Sequence, residues 1–389
     1  MIKSYKYKIK PTKIQSNQLD RFFGCTRFIY NWGLDKKINS WKNEQKSLSY
    51  NELAKQLTSL KKEDGYIWLN ECIVESLQQS LRNLDSAYQN FFKSKKGFPK
   101  FKSKHKSKDS IKFIRCVSFD FENWKVKLPK IGWVKLCRNQ IFDQSLVKQG
   151  TTTVHKDKCG TYWISVVIDN KKDIPPKTKV EESTSVGIDL GIKDFIVLSD
   201  GTKISNPKYY ECSMRKLKRL QQGLSRKVKD SHNYQKTRNK LNKCYRYITN
   251  QKLDMFHKLS SYLINNYDTI CMEDLNVEGM MQNHNLALSI QSASWSMFKG
   301  ILSYKSDWYG KNLITIGRYE PSSKTCHCCG YKNNDLKLSD RTWVCPVCGS
   351  VLDRDINAAI NIKKIGLNQS KEIKLPQVNG SPDCGEFLR

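Results

Sequence analysis

Residues 2–10, IKSYKYKIK, alternate apolar or aromatic side chains with basic ones and predict a strand that Pro11 ends. Thr12 and Gln15 then make a capping box. Behind it Leu19, Phe22, Phe23, Thr26, Ile29 and Tyr30 recur at helical spacing. A second helix is expected from Ser49 or Asn51. A third carries Ile73, Leu77, Leu81, Leu84, Tyr88 and Phe91 on one face, a stripe that reads as core in preference to a base-stacking surface. From Ile111 to Asp169 the period changes to short β-like runs: IKFIR, VSFDF, KVKLP, WVKL, TTTVHK and TYWISVVID. With the N-terminal strand these suit a small antiparallel barrel, into which the helices would be an insertion.

A polar, Pro-containing stretch, 170–185, reads as a linker. Next comes VGIDLGIKDFIVLSDG, residues 186–201. It predicts two strands joined by a tight turn, with Asp200-Gly201 as a hairpin signal at its far end. Asp189 lies inside the first strand between Ile188 and Leu190. Its carboxylate either faces water or is a metal ligand on the sheet. Further on, DTICMEDL (268–275) predicts a buried strand ending at Glu273. In LDRDINAAINI (352–362), Asp355, Ala359 and Ile362 share a helix face, and the small Ala358 and Ala359 allow close approach to a sheet. Asp353 is placed to cap that helix.

Charge changes the picture. Lys and Arg total 68 against 37 acids, a net charge of +31 over 389 residues. Such an excess implies a polyanionic partner, most simply nucleic acid. It is concentrated in two places. Residues 93–109 hold eight lysines and one acid around Phe98-Pro99 and Phe101, and read as a basic loop along a phosphate backbone or as a solvated linker. Residues 208–258 hold 15 Lys and Arg against Glu211, Asp230 and Asp254, on helices with an apolar seam at Leu217, Leu220 and Leu224. On a chain this basic, the three acids Asp189, Glu273 and Asp355 suit a nuclease that holds two Mg²⁺ ions with hard oxygen ligands.

Five of the 14 cysteines fall between Cys326 and Cys348. Cys326, Cys329, Cys345 and Cys348 have the spacing C-x2-C-x15-C-x2-C, with Gly330 and Gly349 after the pairs, which predicts a structural thiolate Zn²⁺ site. His327 and Cys328 crowd the first pair as competing ligands. No run approaches 18 apolar residues, so no membrane span and no membrane partner is expected. The opening MIKSYKYKIKPTK has no apolar core of a secretory signal, so the expected location is cytoplasmic.

Taken together, these segments resemble the TnpB (OrfB) family of insertion-sequence transposons, related to type V CRISPR effector nucleases. VGIDLGIKDFIVLSDG resembles the first RuvC-type motif, CMEDLNVEGM the second and DRDINAAINI the third. SSKTCHCCG and RTWVCPVCG resemble its zinc ribbon, and YKYKIKPTKIQ, GCTRFIYNWGL and GFPKFKSK its N-terminal signatures. The resemblance implies a multi-domain α/β chain. Its division would be a wedge-like β-barrel (1–11 and 110–172), a helical recognition region with the basic loop (12–109), a linker (173–185), an RNase H-like, RuvC-type nuclease core (186–319 and 352–365), a zinc ribbon (320–351) and a flexible tail (366–389). It further implies an RNA-guided DNA endonuclease. Its guide RNA would come from the transposon end, and double-stranded target DNA would be cut beside a short motif by a two-metal mechanism. Asp189, Glu273 and Asp355 would then be the catalytic, Mg²⁺-binding acids. None of the six histidines forms an HNH-like cluster, so one site would cut both strands in turn. Two other readings use the same residues: a transposase or accessory protein acting on DNA ends, and a non-cleaving RNA-guided DNA-binding protein.

Overall fold

A computed structural model describes residues 1–94, 97–104, 107–143, 152–318, 320–337 and 340–372. The chain divides after Asp173 into two compact units, each with its own core.

The first unit opens with β1 (Ile2–Lys10), followed by α1 (Lys13–Glu44), α2 (Tyr50–Leu60), a 3-10 segment (Asp64–Glu71) and α3 (Val74–Ser94). Six strands follow: β2 (Asp109–Phe113), β3 (Ser118–Asp120), β4 (Lys125–Leu128), β5 (Gly132–Leu136), β6 (Thr152–Lys156) and β7 (Tyr162–Asp169). They form one antiparallel sheet in the order β2-β6-β7-β1-β5-β4-β3. β1 is its spine, paired with β7 from Ile2↔Asp169 to Ile9↔Tyr162 and with β5 at Ile9↔Leu136. The alternation read in the sequence is real: Tyr7 and Ile9 are buried while the lysines between and beside them are exposed. Among the described residues no pairing joins β2 to β3, so the sheet has two edges.

α1 starts with both halves of the capping box, Gln15 N–H donating to Thr12 Oγ1 and Thr12 N–H to Gln15 Oε1. Its expected apolar face is buried throughout, against α3 and the sheet. The α3 stripe behaves differently along its length. Leu77, Leu81 and Leu84 are buried, but Tyr88 and Phe91 are only half-buried and Phe92 is exposed. The expectation of core holds as far as Tyr88, which packs against the core, and is corrected beyond it, where no described helix or strand covers Phe91 and Phe92.

The second unit contains β8 (Ser185–Leu190), β9 (Asp194–Leu198), β10 (Lys203–Ser205), α4 (Tyr209–Ser225), α5 (His232–Asn266), β11 (Thr269–Glu273), α6 (Val277–Met280), α7 (His284–Ala293), α8 (Trp295–Trp308), β12 (Asn312–Ile316), β13 (Thr342–Val344), β14 (Val351–Asp353) and α9 (Arg354–Glu372). Five strands make a sheet in the order β10-β9-β8-β11-β12. The first three are antiparallel neighbours, whereas β11 runs parallel to both β8 and β12. β11 is buried on both faces, which is why it reads as an apolar run. Ile270 and Met272 join Phe195, Phe256 and Phe298 on the α5–α8 side, while Cys271 faces Ile316 and Ile362 on the α9 side. Each such fully buried side chain contributes roughly 1.5–3 kcal/mol.

α9 lies unusually close to β8. A Cβ on Gly187 would stand 1.9 Å from the Ala359 carbonyl oxygen, so only glycine fits there. Ala358 and Ala359 are buried as expected. The helix runs on to Glu372, with Leu367 buried, which corrects the expectation of a tail from 366; residues 373–389 lie outside the described residues. α4 and α5 pair through Leu217, Leu241, Cys244 and Ile248, with Leu220 and Leu224 half-buried beside them. Among the described residues no helix is long and apolar enough to cross a membrane.

Candidate functional site

Asp189 sits on the central strand β8, directly opposite Val197 of β9. Burial pushes its carboxyl up from 3.8 to about 7, and the negative charges of Glu273 and Asp355 push the same way. The carboxylates at the end of β11 and in the first turn of α9 are thus near enough to oppose the ionisation of Asp189. Burial also raises the Glu273 carboxyl, and a hydrogen bond from the Ser322 hydroxyl to Glu273 Oε1 works against it. Asp355 Oδ2 is 3.3 Å from Arg341 Nη1. Asp353 takes the expected cap: its Oδ1 accepts the N–H groups of Asp355 and Ile356 at 3.1 Å each, and its Oδ2 accepts from Lys203 Nζ at 2.6 Å.

The four cysteines converge. All four Sγ atoms of Cys326, Cys329, Cys345 and Cys348 lie within 4.8 Å of one another. Among the described residues this is the one group of three or more His, Cys, Asp or Glu side chains set to hold a single ion. The two halves fold alike. Gly330 N–H donates to Cys326 O and Gly349 N–H to Cys345 O, both at 2.9 Å, with φ of 79° and 70° at the glycines. β13 and β14 pair antiparallel alongside, and Trp343 and Leu352 bury against Cys326 and Cys345. Four thiols so placed suit a tetrahedral Zn²⁺ with no open position. His327 and Cys328 stand outside the cluster, Cys328 being exposed and 3.4 Å from His327 Nε2.

Sequence reading missed what joins the acids to the thiols. Asn357, Asn361 and Lys364 recur at i, i+4 and i+7 on α9 and grip the segment 322–327. Asn361 Nδ2 donates to Ser322 O (2.8 Å) and Thr325 O (2.6 Å). Asn357 Nδ2 donates to Thr325 O (2.8 Å), and its Oδ1 accepts the His327 N–H (2.9 Å) and lies 3.0 Å from His327 Nδ1. Lys364 Nζ donates to His327 O at 2.6 Å. Both asparagines are buried. The gripped segment ends at Ser322, bonded to Glu273, on one side and at the thiol Cys326 on the other. Two amides on the apolar, Ala358–Ala359 side of the helix were the available signal, since buried polar groups require partners.

Comparison with known proteins follows from this geometry. A protein of Streptomyces pristinaespiralis named "Putative RNA-guided DNA endonuclease" is 36% identical over 368 residues, covering 95% of this chain and 90% of its own. The chain belongs to the TnpB (OrfB) family. An Escherichia coli K12 protein, "Putative RNA-guided DNA endonuclease InsQ", is 31% identical over 94% of the TnpB chain and 92% of its own length. The OrfB family model described as "Probable transposase" matches residues 165–284, and a Cas12f1-like TNB domain matches 295–362, which includes the four cysteines. A third model, described as a helix-turn-helix domain, matches residues 1–46. In this TnpB chain that stretch is one strand and one uninterrupted helix. Among solved structures, a Cas12f1–sgRNA–target DNA complex aligns with a TM-score of 0.54 at 16% identity, covering 90% of this chain and 83% of that one. CasPhi-2 bound to crRNA aligns at 0.50 and 9% identity, covering 94% and 98%. The TnpB chain therefore has a multi-domain α/β fold like those effectors, with a zinc-ribbon-like cysteine cluster.

Proposed function

We propose that this chain is an RNA-guided DNA endonuclease whose catalytic acids are Asp189, Glu273 and Asp355. One observation supports the reading: Glu273 at the end of β11 and Asp355 in the first turn of α9 lie close enough to the buried Asp189, on the central strand of a five-stranded sheet, to add to the upward push that burial puts on its carboxyl. The sheet order β10-β9-β8-β11-β12, antiparallel then parallel, is what an RNase H-like, RuvC-type core requires. The names of the two full-length relatives agree.

The donor set fits Mg²⁺. Its oxygens are hard, and the repulsion that Glu273 and Asp355 exert on Asp189 is what a divalent cation would relieve. Asp189, Glu273 and Asp355 would hold two ions, which when bound supply an activated water and neutralise charge on the scissile phosphate. The protein's own part is orientation. The β8–β9 ladder fixes Asp189, Ser322 turns Glu273, and the Asp353 cap fixes the first turn of α9 under Asp355. The exposed basic residues of α4 and α5 would draw the nucleic acid in. Cys326, Cys329, Cys345 and Cys348 would hold a structural Zn²⁺. In this reading, residues 1–11 and 110–172, whose described strands make an open antiparallel sheet, form the wedge-like domain, 12–109 the recognition region, 186–319 and 352–365 the nuclease core and 320–351 the zinc ribbon. The guide RNA would derive from the transposon end.

Sequencing the RNA that copurifies with the protein tests this directly. A single defined RNA species is expected, and DNA cleavage should require it and be abolished by Asp189→Ala. Cleavage of the same target without RNA would refute the guided reading, and strand-transfer products without a guide would favour a transposase.

A further inference from the structure

Beyond Tyr88, which packs half-buried against the core, the last turns of the α3 stripe leave it. Tyr88 and Phe91 are half-buried, Phe92 is 74% exposed, and across from them on α1 Trp41 is 55% exposed. Phe98, from the loop after α3, stands edge-on to Tyr88 (5.5 Å, 83°) and to Phe91 (5.4 Å, 86°). Between the ends of α1 and α3 lies an open cleft of about 780 Å³, floored by these rings together with Ile38 and Leu48. That volume is in the range of small-ligand sites, roughly 300–1,000 Å³.

The cleft is built rather than incidental. The loop carrying Phe98 is anchored to α1 by Asn31, whose side chain accepts the Lys102 N–H (2.7 Å) and donates to the Lys102 carbonyl (2.8 Å). The Lys102 ammonium lies 3.6 Å over the Tyr30 ring. The rim carries Lys42 and Lys93, while Lys37 is largely buried, lying 5.0 Å over the Tyr88 ring and paired with Asp85. Among the described residues that line the cleft, Asp85 is the one acid. It is 3.4 Å from Lys37 Nζ and accepts from Gln89 at 3.1 Å.

We propose that this cleft binds unpaired bases of the guide RNA by stacking them on its aromatic rings, with the lysines on the flanking phosphates. The proposal rests on the RNA-guided reading above and adds a site to it. Flat aromatic faces with a basic rim are the recurring platform for single-stranded nucleic acid. A duplex keeps its bases stacked inside and offers none to such a cleft, whereas loops and ends of RNA splay theirs out. An apolar protein partner or a second copy would gain nothing from the ammonium groups.

The test labels the native RNA in cells with 4-thiouridine, purifies the complex, irradiates it at long wavelength and maps crosslinked peptides. Crosslinks are expected within residues 37–48 or 88–94. In parallel, the affinity of the purified RNA is measured for wild type and variants, with oligo(dT) as the DNA control. Trp41→Ala and Phe92→Ala should each weaken RNA binding about five- to a hundredfold at unchanged melting temperature. Phe92→Tyr should restore it and Phe92→Leu should not. Equal RNA affinity of wild type and Phe92→Ala would overturn this proposal alone, while a wild type that carries no RNA would overturn the parent reading with it. Full affinity in Phe92→Leu, a defect confined to oligo(dT), or an RNA-free dimer abolished by Phe92→Ala would also overturn it, the last two pointing to a displaced DNA strand and to a second copy.

Discussion

Asp189 carries the tension of the proposed site. Its carboxyl is pushed to about 7 first by burial and then by Glu273 and Asp355. An acid whose folded value lies above its unfolded one binds its proton more tightly when folded. Metal-free protein therefore loses stability as pH rises from about 4 to about 7, and the loss is complete above that. The displacement corresponds to at most about 4 kcal/mol. Asp189→Asn removes the charge and should melt several degrees above wild type in magnesium-free buffer at pH 8, with the gain shrinking towards pH 4. Scanning fluorimetry at both pH values checks this. A variant that melts lower at pH 8 would show that the carboxylate is not under repulsion.

At the scale of elements, the segment 322–327 behaves as a tie between two centres. Asn361→Ala would leave the Ser322 carbonyl without its α9 donor and the Thr325 carbonyl with Asn357 alone, and would free Ser322 from its position under Glu273. Cleavage turnover should fall about ten- to a hundredfold with DNA affinity and bound zinc unchanged. Loss of zinc along with turnover would instead mark Asn361 as structural. The thiol cluster has its own test. One zinc per chain is expected by elemental analysis, lost in Cys345→Ser and retained in Cys328→Ser. Retention in the first or loss in the second would reassign the ligands.

These elements also show where sequence stops being informative. The Thr12–Gln15 box, the Asp353 cap and the paired CxxC knuckles were legible because each is closed by neighbours a few residues apart. The parallel pairing of Thr269 with Ser185, and of Thr269 with Asn312, was not, because strand partners so distant leave no local mark. Asn357 and Asn361 were passed over because what they bind are backbone carbonyls, which every residue possesses. The α3 stripe misled for the opposite reason: Phe91 keeps helical phase with Leu84 and Tyr88, and only the absence of a covering helix or strand tells it apart.

At the scale of the whole molecule, the +31 charge should govern nucleic-acid affinity. Exposed Lys236, Lys240 and Lys243 fall at i, i+4 and i+7 on α5, one continuous face. Replacing all three with Gln should reduce the slope of log affinity against log salt by about three, close to one for each phosphate no longer neutralised. Titrations at several salt concentrations measure it, and an unchanged slope would remove this face from the nucleic-acid path.

The close seating of α9 on Gly187 has a consequence in time. Asp189 and Glu273 leave the ribosome long before this helix does, and at ~5–20 residues per second the stretch from Glu273 to Glu372 takes roughly 5–20 s to make. Until Asp355 is made the nascent sheet has two of the three acids, and until α9 seats the segment 322–327 lacks the grip of Asn357 and Asn361. On the proposed assignment of the three acids, such a chain would stay inert until α9 is made, and a product truncated before α9 would not cut.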